Sequence, residues 1–455
     1  MGSVWILGFY FLLATVSSTD VFQENSFMDL SGIHLNLYHV KSNSSLFNSK
    51  SWLHDVLAKD EERFKAFSSR LAQNEAEITT SASSSSHSKR TTYLKSVSLP
   101  LNSGISIGSG NYYVKIGLGS PAKYYPVIVD TGSSFSWLQC QPCRIYCHNQ
   151  AGPIFDPSAS KTYKSLPCDR SECSSLKRAT LNDPFCEANS HTCIYTASYG
   201  DASFSIGYLS QDRLALNPSQ VLPSFVYGCG QDNQGLFGMA AGIIGLARDK
   251  LSLLAQTSYK YGYGFSYCLP SAKGGQGGVL SIGTASLGTL SGFKFTPMVT
   301  DPRNPSLYFI GLSGITVAGK PLGVSAATYK VPTIIDSGTV ITRLPTPVYS
   351  ALKDTFVKIM KRKYTKASGY SILDTCFKGS LASVTAVPPI QLVFQGGAAL
   401  NLAPKNILIE IEDLVCLAFA GSNELTVIGN RQQQTFKVAY DVSKSRIGFA
   451  PGGCR

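Results

Sequence analysis

The stretch "YPVIVDTGSSFSWLQC", Tyr125 to Cys140, is an apolar strand-like run that ends on an aspartate and then on small hydroxyl and glycine residues. A lone Asp130-Thr131-Gly132 reads as a solvated loop carboxylate. The chain, however, holds a second copy: "VPTIIDSGTVITRLP", Val331 to Pro345, delivers Asp336 into Ser337-Gly338. The two aspartates stand 206 positions apart. Downstream of the first lies "AAGIIGLAR" (Ala240 to Arg248), and downstream of the second "ELTVIGNRQ" (Glu424 to Gln432). Each is an apolar strand ending in Ile-Gly. The same order in both halves predicts two related β lobes facing one another across a pseudo-twofold axis.

Two carboxylates at the ends of matching strands cannot both ionise cheaply when side by side, so they share a proton and their apparent pKa values split. The ionised partner acts as general base on a water, and the protonated one polarises a carbonyl. A glycine after each Asp-x lets the backbone turn sharply and approach closely. Ser133 and Thr339 place a hydroxyl beside each carboxylate, able to fix its orientation. Asp130 and Asp336 are therefore the candidate catalytic pair.

A chain of 455 residues is long enough for two domains with a substantial core. Apolar content of 44% with 15% charge excludes a disordered chain. The 41 glycines, with abundant Ser, Thr, Val and Tyr, favour strands joined by turns. The net charge of +12 lies wholly beyond residue 90. Its densest run is "KDTFVKIMKRKYTK", Lys353 to Lys366. That run reads as a solvated helix face; weak binding to anionic polymers is the sharper alternative. No nucleic-acid motif accompanies it.

Residues 1–18 resemble a signal peptide, with an apolar run from Val4 to Val16 and no basic n-region. No later segment is long and apolar enough for stable membrane insertion. The expected destination is the secretory pathway, to the extracellular space (apoplast) or the vacuole, in preference to a plastid. Residues 19–90 hold no cysteine, one helix-like segment in which Phe64, Phe67 and Leu71 share a face, and the Ser-rich "TTSASSSSHSKR" ending in Lys89-Arg90. They read as a removable prosegment, which makes the protein a zymogen; an interdomain linker is the plainer reading of the Ser-rich run. The remainder divides into an N-terminal β lobe with a Cys-rich insertion, 91–285, and a C-terminal β lobe, 286–455.

All 12 cysteines lie between Cys140 and Cys454, and in an exported chain the default is six disulfides. "CQPCRIYCH" could be misread as a zinc or redox site, but no second ligand pair stands at metal-site spacing. Neither metal nor cofactor is called for. Rival catalytic sets are poorly supplied. Four of six histidines precede Arg90, leaving His148 and His191, and no HExxH is present.

From about residue 105 onward the chain resembles the pepsin-like aspartic endopeptidases, specifically the Cys-rich plant group of nepenthesin-like and chloroplast-nucleoid-protease-like enzymes. Both Asp motifs, both apolar-Gly motifs, "FSYCLP" (Phe265 to Pro270) and "IGFAPGGC" (Ile447 to Cys454) carry the resemblance. "HLNLYHV" and "AKDEERFKAF" in the prosegment are also similar to that group. The resemblance implies an all-β, bilobal fold with few short helices, cleaving protein or peptide substrates as a monomer. It implies that Thr131 and Ser337 brace the two loops around Gly132 and Gly338, and that Tyr199 and Gly200 belong to a substrate flap supported by Trp137. It further implies a Cys376–Cys416 bridge, and a basic prosegment residue that blocks the cleft until acid releases it. Ala202 departs from the glycine usual at the flap tip. The alternative function is a catalytically inactive relative that binds or inhibits a partner enzyme, as plant xylanase inhibitors do.

Overall fold

Short apolar runs punctuated by Gly, Pro and Asn fold almost entirely into strands, as the composition predicts. The computed structural model describes residues 50–73, 95–199, 202–235, 237–271, 277–287 and 292–454. The expected signal peptide 1–18, Lys89-Arg90 and the expected flap residue Gly200 lie outside the described residues.

The result is an all-β, bilobal architecture. One lobe is built on an 11-stranded sheet running from Asn102–Ser103 to Gly242–Gly245. The other holds a five-stranded sheet, which carries Thr333–Ile335 and Thr342–Pro345, and two four-stranded sheets. A six-stranded sheet joins them: Val97–Pro100, Phe265–Cys268 and Val279–Ile282 come from the first half, and Lys294–Pro297, Lys437–Asp441 and Arg446–Ala450 from the second. The expected 285/286 boundary thus falls between strands of one shared sheet, because Phe265–Cys268 before it and Lys294–Pro297 after it both pair with the chain's C-terminal hairpin.

The described cysteines form six disulfides. Cys140 leaves the Cys-rich insertion to bond Cys229, whereas Cys143–Cys147, Cys168–Cys186 and Cys173–Cys193 close within it. Cys268–Cys454 ties down the C-terminus, and Cys376 and Cys416 bond as directly opposed residues of neighbouring strands.

The helix Lys50–Gln73, α1, lies on the second lobe. Its buried stripe Leu53, Leu57, Phe64, Phe67 and Leu71 follows helical periodicity. Leu53 and Leu57 pack with Ile341 and Ile409, and Phe64, Phe67 and Leu71 with Leu307, Phe309 and Val427. Asp60 and Arg63 interrupt this stripe, and both turn inward. Among the described residues no helix is long and apolar enough to cross a membrane.

Candidate active site

Each Asp motif is held by the apolar-Gly strand of its own half. Lys123–Asp130 runs parallel to Gly242–Gly245 with Asp130 opposite Gly245, and Thr333–Ile335 runs parallel to Thr426–Ile428. Six residues beyond each aspartate a hydroxyl closes the loop. Ser136 Oγ accepts from Gly245 N, and Thr342 Oγ1 accepts from Gly429 N, both at 3.0 Å. The repeated grammar of the sequence is thus a repeated hydrogen-bond geometry.

The two loops meet and lock. Thr131 N donates to Ser337 Oγ at 3.2 Å, and Ser337 N to Thr131 Oγ1 at 2.9 Å. Ser337 Oγ donates onward to Val129 O, and Thr131 Oγ1 to Asp336 Oδ1 at 3.2 Å. Asp130 accepts from Gly132 N at 3.0 Å and from Ser133 Oγ; Asp336 accepts from Gly338 N at 3.2 Å and from Thr339 Oγ1 at 2.6 Å. Both carboxylates are buried. A Cβ at Gly338 would sit 2.5 Å from Asp130 Oδ1, and one at Gly132 would sit 2.9 Å from Asp336 Oδ1. Only glycine therefore leaves room for the carboxylates to converge.

Beneath the second loop, Gln433 Nε2 donates to Asp336 O at 3.1 Å and to Ile428 O, while its Oε1 accepts from Tyr267. Nothing in the local sequence marks Gln433, since Asp336 and Tyr267 are remote from it in the chain.

Tyr199 ends the strand pair Cys193–Ser198 and Phe204–Asn217, where Tyr199 N donates to Ser203 O at 2.8 Å. Buried Trp137 donates from Nε1 to Tyr199 Oη at 2.7 Å, and Phe237 packs edge-on against both rings. One neutral hydrogen bond contributes about 0.5–1.5 kcal/mol. Trp137→Phe is therefore expected to lower kcat/KM for peptides about three- to tenfold, with the dyad's pH profile unchanged. Ala202, in the same turn, has φ 61°, a left-handed conformation costly for a residue with a Cβ. Ala202→Gly is expected to relieve about 1 kcal/mol of strain, read as a rise in thermal midpoint.

The residue that the sequence did not single out is Arg63. Its Nη2 lies 2.6 Å from Asp130 Oδ1 and 2.9 Å from Asp336 Oδ2. Nε also donates to Asp336 Oδ2 at 2.9 Å, and Nη1 to Asp130 Oδ2 at 3.2 Å. One guanidinium thus occupies the space between the two carboxylates. Burial resists ionisation of Asp336, but the Arg63 charge and hydrogen bonds outweigh it and hold the carboxyl below its ordinary value. Burial likewise disfavours the Arg63 charge, and Asp130 and Asp336 overcome it, raising its pKa. The signal available in the sequence was a charged pair, Asp60 and Arg63, within an apolar helical stripe.

Two family models, described as xylanase inhibitor N-terminal and C-terminal, match residues 112–284 and 307–451. An aspartyl protease family protein of Arabidopsis thaliana is 41% identical over 97% of this chain and 91% of its own length. The chain belongs to the plant pepsin-like aspartic proteases. Aspartic proteinase nepenthesin-2 of Nepenthes gracilis is 37% identical, over 76% of this chain and 78% of its own length. Aspartyl protease AED1 of Arabidopsis thaliana is 39% identical over 88% and 82%. Basic 7S globulin from soybean shares the fold at 21% identity, with TM-score 0.62 over 78% of this chain and 96% of that one. The family makes this protein an aspartic-type endopeptidase acting on protein substrates. Among the described residues no group of His, Cys, Asp or Glu is placed to hold a metal ion.

Proposed function

We propose that the protein is the latent precursor of an endopeptidase whose nucleophile is a water held between Asp130 and Asp336. The observation that carries this reading is the convergence of both carboxylates on one guanidinium nitrogen, 2.6 and 2.9 Å away. A site that holds one cationic nitrogen between two carboxylates has room, once vacated, for a water bonded to both. The ionised carboxylate takes a proton from that water as its oxygen attacks the peptide carbonyl. The protonated one gives its proton to the carbonyl oxygen, leaving a neutral gem-diol. Collapse breaks the C–N bond as the first carboxyl returns its proton to the departing amine and one gem-diol hydroxyl gives its proton back to the second carboxylate. Split pKa values in such a pair are documented for aspartic proteases as a class. Tyr199 and Trp137 belong to the flap that closes over substrate and excludes water.

Helix α1 is the blocking part of a prosegment, residues 19–90, with Arg63 in the place of water and scissile bond. The apolar N-terminus and the six disulfides support export to the apoplast or vacuole. The test is cleavage of a denatured protein across pH 3 to 7 by acid-treated full-length protein, with and without pepstatin. Acid-range, pepstatin-sensitive cleavage is expected. Inactivity after confirmed loss of residues 1–90 overturns the reading in favour of a partner-binding relative.

A further inference from the structure

One turn from Arg63, the same helix presses two more carboxylates into the second lobe. Asp60 is buried, with Oδ1 accepting from Val340 N and Oδ2 accepting from Ile341 N at 3.0 Å. Glu61 Oε2 accepts from Arg343 Nη1 at 2.6 Å, and Arg343 Nη2 lies 3.7 Å from Asp60 Oδ2. Arg343 belongs to the strand Thr342–Pro345 of the protease body, seven residues past Asp336, and only 2% of it is exposed. Its charge has no ion-pair partner among the described residues apart from Asp60 and Glu61. Its Nε and Nη2 are buried without a hydrogen bond, and Phe64, again from α1, covers its face at 5.5 Å. Two backbone N–H groups and a guanidinium therefore form a carboxylate cradle, and among the described residues the carboxylates filling it both belong to α1.

A buried cation left without a partner is costly. When α1 departs, the cradle keeps its donors and loses both anions. We propose that Val340 N, Ile341 N and Arg343 form a specificity subsite of the mature enzyme that takes an acidic side chain of the substrate, with Asp60 and Glu61 as its internal mimics. This rests on the endopeptidase reading above. Asp60 sits three residues from Arg63, about 4.5 Å along the helix axis, so the favoured acidic residue lies within about two positions of the scissile bond in an extended peptide.

The test uses enzyme matured by acid from the full-length chain. Peptides blocked at both ends carry Glu or Gln at each position within three residues of the scissile bond. They are assayed near pH 5, where a free glutamate is ionised. At one position Glu is expected to exceed Gln by about tenfold in kcat/KM. Arg343→Gln is expected to bring that ratio close to one, and Arg343→Lys to retain part of it, which separates lost charge from lost folding. A ratio near one at every position in the wild-type enzyme, or a preference unaltered by Arg343→Gln, overturns the subsite. Failure to cleave any peptide of either series instead overturns the endopeptidase reading, and the subsite with it.

Discussion

Asp336→Asn is expected to abolish peptide-bond hydrolysis, lowering kcat/KM by about a thousandfold or more, the upper range for loss of general acid–base catalysis. The substitution preserves shape. Asparagine still offers an oxygen to Gly338 N, and Thr339 Oγ1 can rotate to accept from the new amide (both bonds go to the carboxylate in the native loop). The Thr131–Ser337 lock, made through backbone N–H groups, does not depend on the charge. What disappears is the group that takes up or gives a proton at the position 2.9 Å from the Arg63 nitrogen. Because the pair acts as a unit, Asp130→Asn should cost about as much, and the double variant hardly more than either. The measurement is single-turnover cleavage across pH 3 to 7, beside a thermal melt that establishes folding. Residual activity within tenfold of wild type in a folded Asp336→Asn protein would remove the carboxylate pair from the mechanism.

The fold was legible because its determinants are local and duplicated. An apolar run, Asp-x-Gly and a later apolar-Gly strand occur twice, and each copy folds into the same hydrogen-bonded loop, down to Ser136 and Thr342 closing on Gly245 and Gly429. Repetition turned two weak signals into one strong one. The shared six-stranded sheet was not legible, since strand pairing between residues as far apart as Phe265 and Tyr440 leaves no trace at either position. The same limit hid Gln433, whose amide bridges Asp336 O and Ile428 O. Arg63 is a middle case. Periodicity marks Phe64, Phe67 and Leu71 as one face, whereas the adjoining Asp60 and Arg63 gain their meaning only from partners remote in sequence. A charge inside an apolar stripe is either a defect or a ligand, and here Asp60 finds its partners in the second lobe and Arg63 in both aspartates.

Arg63→Gln is expected to convert the full-length chain from latent to active at near-neutral pH. Arg63 makes four hydrogen-bond or ion-pair contacts to the dyad with 16% of its side chain exposed, so its removal breaks a largely buried charge pair. Such losses run to about 3–5 kcal/mol, which raises the undocked fraction of α1 at least a hundredfold. Glutamine cannot span both carboxylates, so even while docked it leaves room for water. In the wild type the pH dependence follows from opposing signs. Asp336 is held below its ordinary 3.8, so its grip on Arg63 is complete above that value and is lost as pH falls beneath it. Burial beneath α1 pushes the Asp60 carboxyl up, against the pull of Arg343, two backbone N–H groups and Arg63, so acid does not loosen this contact. On the proposed latency, acid release rests on the Asp336–Arg63 contact, and Arg63→Gln should need no acid exposure while Asp60→Asn still should. Fluorogenic peptide cleavage at pH 6, with and without prior exposure to pH 3, reads both variants. Unchanged latency in Arg63→Gln would mean that the apolar stripe of Leu53, Leu57, Phe64 and Phe67 holds the cleft shut without the charge.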